Sequence, residues 1–299
     1  MFIQEELDRY LYWQVERENI RLQKEVSNFP PPWTVDPILQ QYKFCQVFRE
    51  EDRTTRWFKE HIREPMREDD DVLMATVIFR WFNYIPTGRT LIKHNLLKNW
   101  NREKAIEEIK KQDKWVTGAF IVKSPNGMDK VTGVAECISH MWERKDYMIK
   151  KLVERRDNNE SSLEYCWKLL REYPYMGPFM AYEVVTDLRF TYLLQGAEDK
   201  YTWANAGPGA MRGLNRLTGR PLDFCQRSHD WNSEMVALYE IALEKLPTNI
   251  TFRNDLPYEM REIEGGLCEF DKYSRIYKGE GRTRSTYKYN EDLPLVEGI

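Results

Sequence analysis

Two glycine–proline turns carry the residues of this chain best suited to chemistry on an anionic partner. The first is Glu172-Tyr173-Pro174-Tyr175-Met176-Gly177-Pro178-Phe179, and the second is Ala206-Gly207-Pro208-Gly209-Ala210. A turn that opens a helix presents backbone N–H groups with no intrahelical partner, and phosphate binds there. Gly177, Gly207 and Gly209 are therefore candidate phosphate or DNA contacts. After the second turn, Arg212, Arg216 and Arg220 recur at i, i+4 and i+8, a stripe whose guanidinium forks match phosphate oxygens two at a time. After the first, Glu183 and Asp187 lie four apart among mostly apolar neighbours. Like charges at that spacing repel mildly. They are solvated, paired with Arg189, or used, one of them as a general base or as the stabiliser of a developing cation. Asp271, Lys272 and Arg275 sit in a segment bounded by Gly265-Gly266 and by Gly279-Glu280-Gly281-Arg282. They either line a pocket, with Asp271 and Lys272 catalytic and Arg282 on phosphate, or form a structural ion-pair network. Cys268 has no histidine near it and reads as a packed thiol.

The elements that must position these residues are helical. Residues 1–27 form one charged amphipathic helix, stopped by Phe29-Pro30-Pro31-Pro32-Trp33. Asp36-Pro37 starts a helix that should run through Phe44. Further helices are expected over 51–62, 70–83, 101–113, 134–154, 161–171, 179–194, 206–219 and 229–245, the last being the final long one. Beyond about 250 the chain reads as irregular, with an acidic loose tail at 288–299. Trp115–Val122 and Val131–Val134 flank an Asn126-Gly127 pair, which predicts a small β-hairpin. The boundaries expected are a helix at 1–29, one mainly α domain over 33–287, and the tail.

Composition narrows the partners. Net charge is −3, so nucleic acid must be met by local patches and not by a polycationic surface. Aromatic residues reach 13%, enough for a bulky core with rings left over for base stacking. The five cysteines form no CxxC and the four histidines are isolated. No metal site is read, and reduced thiols suggest a cytoplasmic protein. No apolar run approaches a membrane span and no signal peptide is seen. There is no GxxxxGK[ST] and no GxGxxG after a strand.

Several separate blocks then resemble one phage-associated family, the helical domain of 5-hydroxymethyluracil DNA kinases. They are Asp36-Pro37-Ile38-Leu39 with Tyr42-Lys43-Phe44-Cys45, Phe48-Arg49-Glu50, Asp52-Arg53-Thr54-Thr55-Arg56-Trp57, Gly177-Pro178-Phe179 to Asp187-Leu188, and Ala206-Gly207-Pro208-Gly209. Leu267-Cys268-Glu269-Phe270-Asp271-Lys272-Tyr273 and Gly279-Glu280-Gly281-Arg282 complete the set. The resemblance spans roughly residues 33–287. It implies kinship with the α-glutamyl/putrescinyl-thymine pyrophosphorylases, and more distantly with helix-hairpin-helix DNA glycosylases. The implied fold is a glycosylase-like helical domain. The implied work is hypermodification of thymine-derived bases in phage DNA, inside an infected bacterial host.

Two departures limit what carries over. The chain lacks a P-loop, so ATP and Mg²⁺ enter only if it performs phosphoryl transfer. In the glycosylase pattern Gly207 stands where the catalytic aspartate would be, leaving Asp187 or Asp199 to substitute. Four readings stay open, the plainest being a helical interaction protein that shows no salt-dependent DNA binding. Of the others, one is group transfer at the 5-methylene of a flipped hydroxymethyluracil or its phosphate, in double-stranded DNA. The second is excision of a modified base. The third is a DNA-binding module serving a separate P-loop kinase.

Overall fold

Short polar side chains ahead of apolar runs start many of the helices in the computed structural model. The structure describes residues 1–118, 122–125, 127–253, 255–281 and 286–287. Helices α1 (Gln4–Arg21, continued by a wider π turn over Leu22–Val26) and α2 (Pro37–Gln41) open the chain. Asp36 caps α2 by accepting from the amides of Ile38 and Leu39 at 2.7 and 3.1 Å. The helix ends at Gln41, short of the expected Phe44.

Eight helices follow: α3 (Arg53–Phe58), α4 (Asp71–Phe82), α5 (Ile85–Lys93), α6 (Arg102–Lys110), α7 (Lys130–Trp142), α8 (Lys145–Asp157), α9 (Leu163–Leu170) and α10 (Pro178–Leu188). Asn101, Asp129 and Ser162 cap α6, α7 and α9 through their side chains, sparing otherwise unpaired amides. The chain then adds α11 (Pro208–Thr218), α12 (Trp231–Lys245), α13 (Thr248–Thr251) and α14 (Met260–Tyr277).

These helices form two compact units. One is Arg53–Trp203; the other joins Met1–Asp52 to Ala204–Ile299. In the first, α4 is the hub. Every residue from Val72 to Phe82 is buried, as a helix apolar on nearly every side requires, and α4 packs on α10, α7, α8 and α5. Fully burying a ring such as Phe79 or Phe82 contributes about 1.5–3 kcal/mol. In the second unit, α11 and α14 form the most extensive helix pair, and α1 packs on both. Tyr10, Trp13, Leu214, Leu217, Leu267 and Phe270 are fully buried there.

Three expectations are corrected. Val131–Val134, expected as a hairpin strand, lies inside α7, where Asp129 accepts from the Thr132 amide at 3.1 Å and its hydroxyl at 2.6 Å. On the other side of the Asn-Gly pair, the Thr117 amide donates to Phe82 O at 3.1 Å and the Thr87 hydroxyl to Trp115 O at 2.8 Å. Among the described residues that segment is held by helix ends, with no partner strand; residues 119–121 and Asn126 lie outside them. The stretch expected over 134–154 is two helices, α7 and α8. The region beyond 250 contains α14, an 18-residue helix opened by a reciprocal Glu259–Glu262 capping box. The tail at 288–299 lies outside the described residues.

Candidate functional site

The acids expected to be catalytic in the first unit are buried in it. Asp187 on α10 is 0% exposed. Its Oδ1 accepts from Arg80 Nη2 at 2.9 Å, and its Oδ2 from Arg80 Nε. Arg80, on α4, also donates to Asn83 Oδ1 at 2.6 Å and to Thr55 Oγ1 at 3.3 Å. Its guanidinium lies 5.0 Å from the Phe58 ring centroid. Asp187 thus neutralises a cation inside the core, an arrangement that is costly to break. Glu183, one turn earlier, is also buried. Asp199 holds the backbone: its carboxylate accepts from the Leu163 amide at 2.8 Å, the Glu164 amide at 3.0 Å and the Ser162 hydroxyl at 2.7 Å, fixing the start of α9. Gly177 is the N-cap of α10, and nothing lies within 4 Å of where its side chain would be.

In the second unit the glycines of α11 serve helix packing. A Cβ on Gly209 would fall 2.4 Å from Cys268 Sγ, and one on Gly213 would fall 2.4 Å from Leu267 O. Their missing side chains let α11 lie directly on α14. Gly207 caps α11, and the Glu264 carboxylate lies against it. That positive helix end already faces a carboxylate of its own chain. The nearby Cys268 thiol is pushed up to about 12 by burial and by Glu269 and Glu264, so it is no thiolate nucleophile.

Close packing of α11 on α14 gathers three guanidiniums around one acid. Asp271 is 2% exposed. It accepts from Arg216 Nε at 2.8 Å, Arg212 Nε at 3.1 Å and Arg275 Nη2 at 2.6 Å. Burial works against its charge, but the hydrogen bonds from Arg216 and Arg275 prevail and hold its pKa below the usual aspartate value. Arg216 is fully committed, since its terminal nitrogens donate to Glu280 at 3.2 and 2.6 Å. Arg212 and Arg275 differ: their side chains are 36% and 34% exposed, and each holds Asp271 with one edge. Arg275 Nε–H is buried and finds no acceptor among the described residues. Among the described residues, three guanidiniums face two carboxylates, leaving one positive charge in excess.

The other expected residues fall elsewhere. Arg220 donates to both oxygens of Glu234, one at 2.6 Å, and to Asn215 Oδ1 at 3.0 Å. Lys272 donates to Glu269 Oε2 at 3.1 Å and to Lys43 O, and lies 4.6 Å from the Phe44 centroid. It pins the segment after α2 to α14 and shares no partner with Asp271. Arg282 lies outside the described residues. From sequence, Arg275 belongs only to an undefined network and Glu280 has no role. The sequence already groups Asp271 with Arg275, four apart on one helix; that Arg212 and Arg216 join them depends on the packing of α11 on α14.

The sequence matches the family described as "5-hmdU DNA kinase, helical domain" over residues 4–283. It is 26% identical over 298 residues to a protein of Bacillus phage SP10 named 5-hmdU DNA kinase. That alignment covers 91% of this chain and 45% of the phage protein, so the chain spans less than half of its relative's length. No solved structure matches. The family match runs from the first residue of α1 to beyond the end of α14 and so includes the Asp271 cluster: the chain belongs to the family of 5-hmdU DNA kinase helical domains.

Proposed function

We propose that this chain holds DNA containing 5-hydroxymethyluracil for transfer of a phosphoryl group to the base's hydroxymethyl oxygen. The match to the helical part of a DNA kinase carries this reading. The Asp271 cluster supports it. Arg212 and Arg275 are oriented by a buried carboxylate, and their side chains keep 36% and 34% exposure. A cluster with one more guanidinium than carboxylate among the described residues suits a phosphate oxygen. Arg216, Asp187 and Asp199 maintain the scaffold in this reading.

The donor is another matter. The chain has no P-loop motif, and among the described residues no three His, Cys, Asp or Glu side chains converge on one point. The sequence offers no loop of the kind that cradles ATP phosphates in P-loop kinases. The donor site belongs to a P-loop kinase module outside these 299 residues, and this chain supplies the DNA half of the encounter.

Fluorescence titration of the chain with a duplex carrying 5-hydroxymethyluracil, across a salt series, tests the binding. Arg212→Ala and Arg275→Ala should each weaken binding and lower the salt slope by about 1. In parallel, the duplex is incubated with the chain, ATP and Mg²⁺, and its nucleosides are identified by mass spectrometry. Unchanged nucleosides with salt-dependent binding fit the proposal. A phosphorylated nucleoside from the chain alone would overturn the division of labour, base loss would favour excision, and absence of binding would end the DNA reading.

A further inference from the structure

The α9–α10 turn exposes what its neighbours bury. Tyr173 and Met176 are 7% and 2% exposed and anchor the turn, yet Tyr175 and Phe179 stand 45% and 47% exposed on either side of Gly177-Pro178. Tyr175 also holds a φ of +62°, a left-handed conformation that is uncommon for a bulky residue. Packing does not explain the choice of tyrosine, because the ring lies largely in solvent where glycine would be easier on the backbone.

Two arginines frame this turn. Arg171, just before it, stacks 4.3 Å from the Trp167 ring centroid, and the Trp167 indole donates to Pro178 O at 2.9 Å, tying α9 to the start of α10. Arg144, which acts electrostatically on Tyr173, lies 5.4 Å from the centroid of the exposed Tyr147 ring. Most charged side chains of this unit are in ion pairs, but Arg144 and Arg171 have no carboxylate partner among the described residues. Exposed rings interleaved with stacked, unpaired guanidiniums match the chemistry of a polyanion that also presents flat aromatic faces.

We propose that the α9–α10 turn is a base-stacking surface for DNA, on which Tyr175 and Phe179 pack against bases at a locally unstacked step while Arg171 and Arg144 face the flanking phosphates. This rests on the DNA reading above and assigns a second contact to it, remote in sequence from the Asp271 cluster. The turn serves substrate engagement, since a base must leave the stack before its 5-substituent can be reached. Stacking tolerates any base, so the surface contributes affinity and deformation rather than recognition of the hydroxymethyl group.

The test uses the full chain and a duplex with 2-aminopurine beside a 5-hydroxymethyluracil, a probe that brightens when its neighbour unstacks. Wild type, Tyr175→Gly, Phe179→Ala and the double variant are compared for affinity and brightening, with thermal melts as the fold control. Tyr175→Gly relieves the left-handed backbone and should melt at or above the wild-type temperature. Each single variant should bind roughly 5- to 100-fold more weakly, and the double variant should lose the brightening. Equal binding and brightening in all variants would overturn the surface while leaving the function standing, and would point to a protein occupant of the turn. Wild-type binding without brightening would also overturn it. A wild-type chain that binds no duplex would remove the proposed function, and this inference with it.

Discussion

Replacing Asp187 separates a structural carboxylate from a catalytic one. Asp187→Ala would leave Arg80, 1% exposed, charged in the core with only the neutral acceptors Asn83 and Thr55. Removing one partner of such a pair costs about 3–5 kcal/mol, against a total stability of about 5–15 kcal/mol for a typical domain. At about 2–4 °C per kcal/mol for a body of this size, the melting temperature should fall by roughly 6–20 °C. Asp187→Asn keeps the shape and one acceptor and should sit at the lower end. Arg80→Met with Asp187→Leu removes both charges and should recover most of the loss, because a buried pair contributes little net stability over well-packed apolar groups. Thermal melts give the size of each effect, and hydrogen exchange should place it within Arg53–Trp203. The reasoning fails if Asp187→Asn melts within about 2 °C of wild type while DNA-dependent function collapses, because the carboxylate would then be serving the reaction.

Gly213→Ala drives a methyl to 2.4 Å from Leu267 O and should cost about 1–3 kcal/mol in urea denaturation. Gly265→Ala, on the same helix pair but facing open space, should gain about 0.5–1 kcal/mol. Asp199→Ala removes the acceptors at the start of α9 and should cost about 1–2 kcal/mol without altering DNA affinity. Glu51 shares Arg21 and Arg253 with Glu18, and burial together with Glu18 raises its pKa to about 7. The folded state therefore keeps a proton that the unfolded chain releases near 4.5, so this group's contribution to stability falls as pH rises from about 4.5 to 7 and is level above. Glu51→Gln should flatten that slope in urea midpoints measured across the window; an unchanged slope would rule Glu51 out as its source.

Local signals were legible in the sequence to the extent that local chemistry decided the outcome. Asp36, Asn101 and the turn at Gly207-Pro208 marked helix starts because a cap and a first-turn proline act within three residues. The hairpin reading failed at Val131 because β-branched residues behind Asn-Gly look like a strand until Asp129 is recognised as a cap. Helix α14 was missed because Gly265-Gly266 lowers its intrinsic propensity. What Gly266 answers is the Tyr10 hydroxyl, 3.0 Å from where its side chain would be, a contact 256 positions away in the chain. The site divides the same way. Spacing singles out Arg212 and Arg216, and setting singles out Asp271, but that these three meet, that Arg216 is consumed by Glu280, and that Asp187 belongs to Arg80 depend on pairings no periodicity encodes.

The unit that carries the Asp271 cluster is assembled from the two ends of the chain, with Arg53–Trp203 inserted between them. That layout sets an order of events at the ribosome. The inserted unit is contiguous and can fold as soon as it is clear of the exit tunnel. Helix α1 cannot, because α11 and α14, on which it packs, arrive late, among them Phe270 against the Tyr10 ring. At about 5–20 residues per second, α1 waits roughly ten seconds or more with its apolar face uncovered. The Asp271 cluster thus forms after the inserted unit, and a nascent chain halted after Trp203 would carry that unit complete but none of the three arginines that surround Asp271.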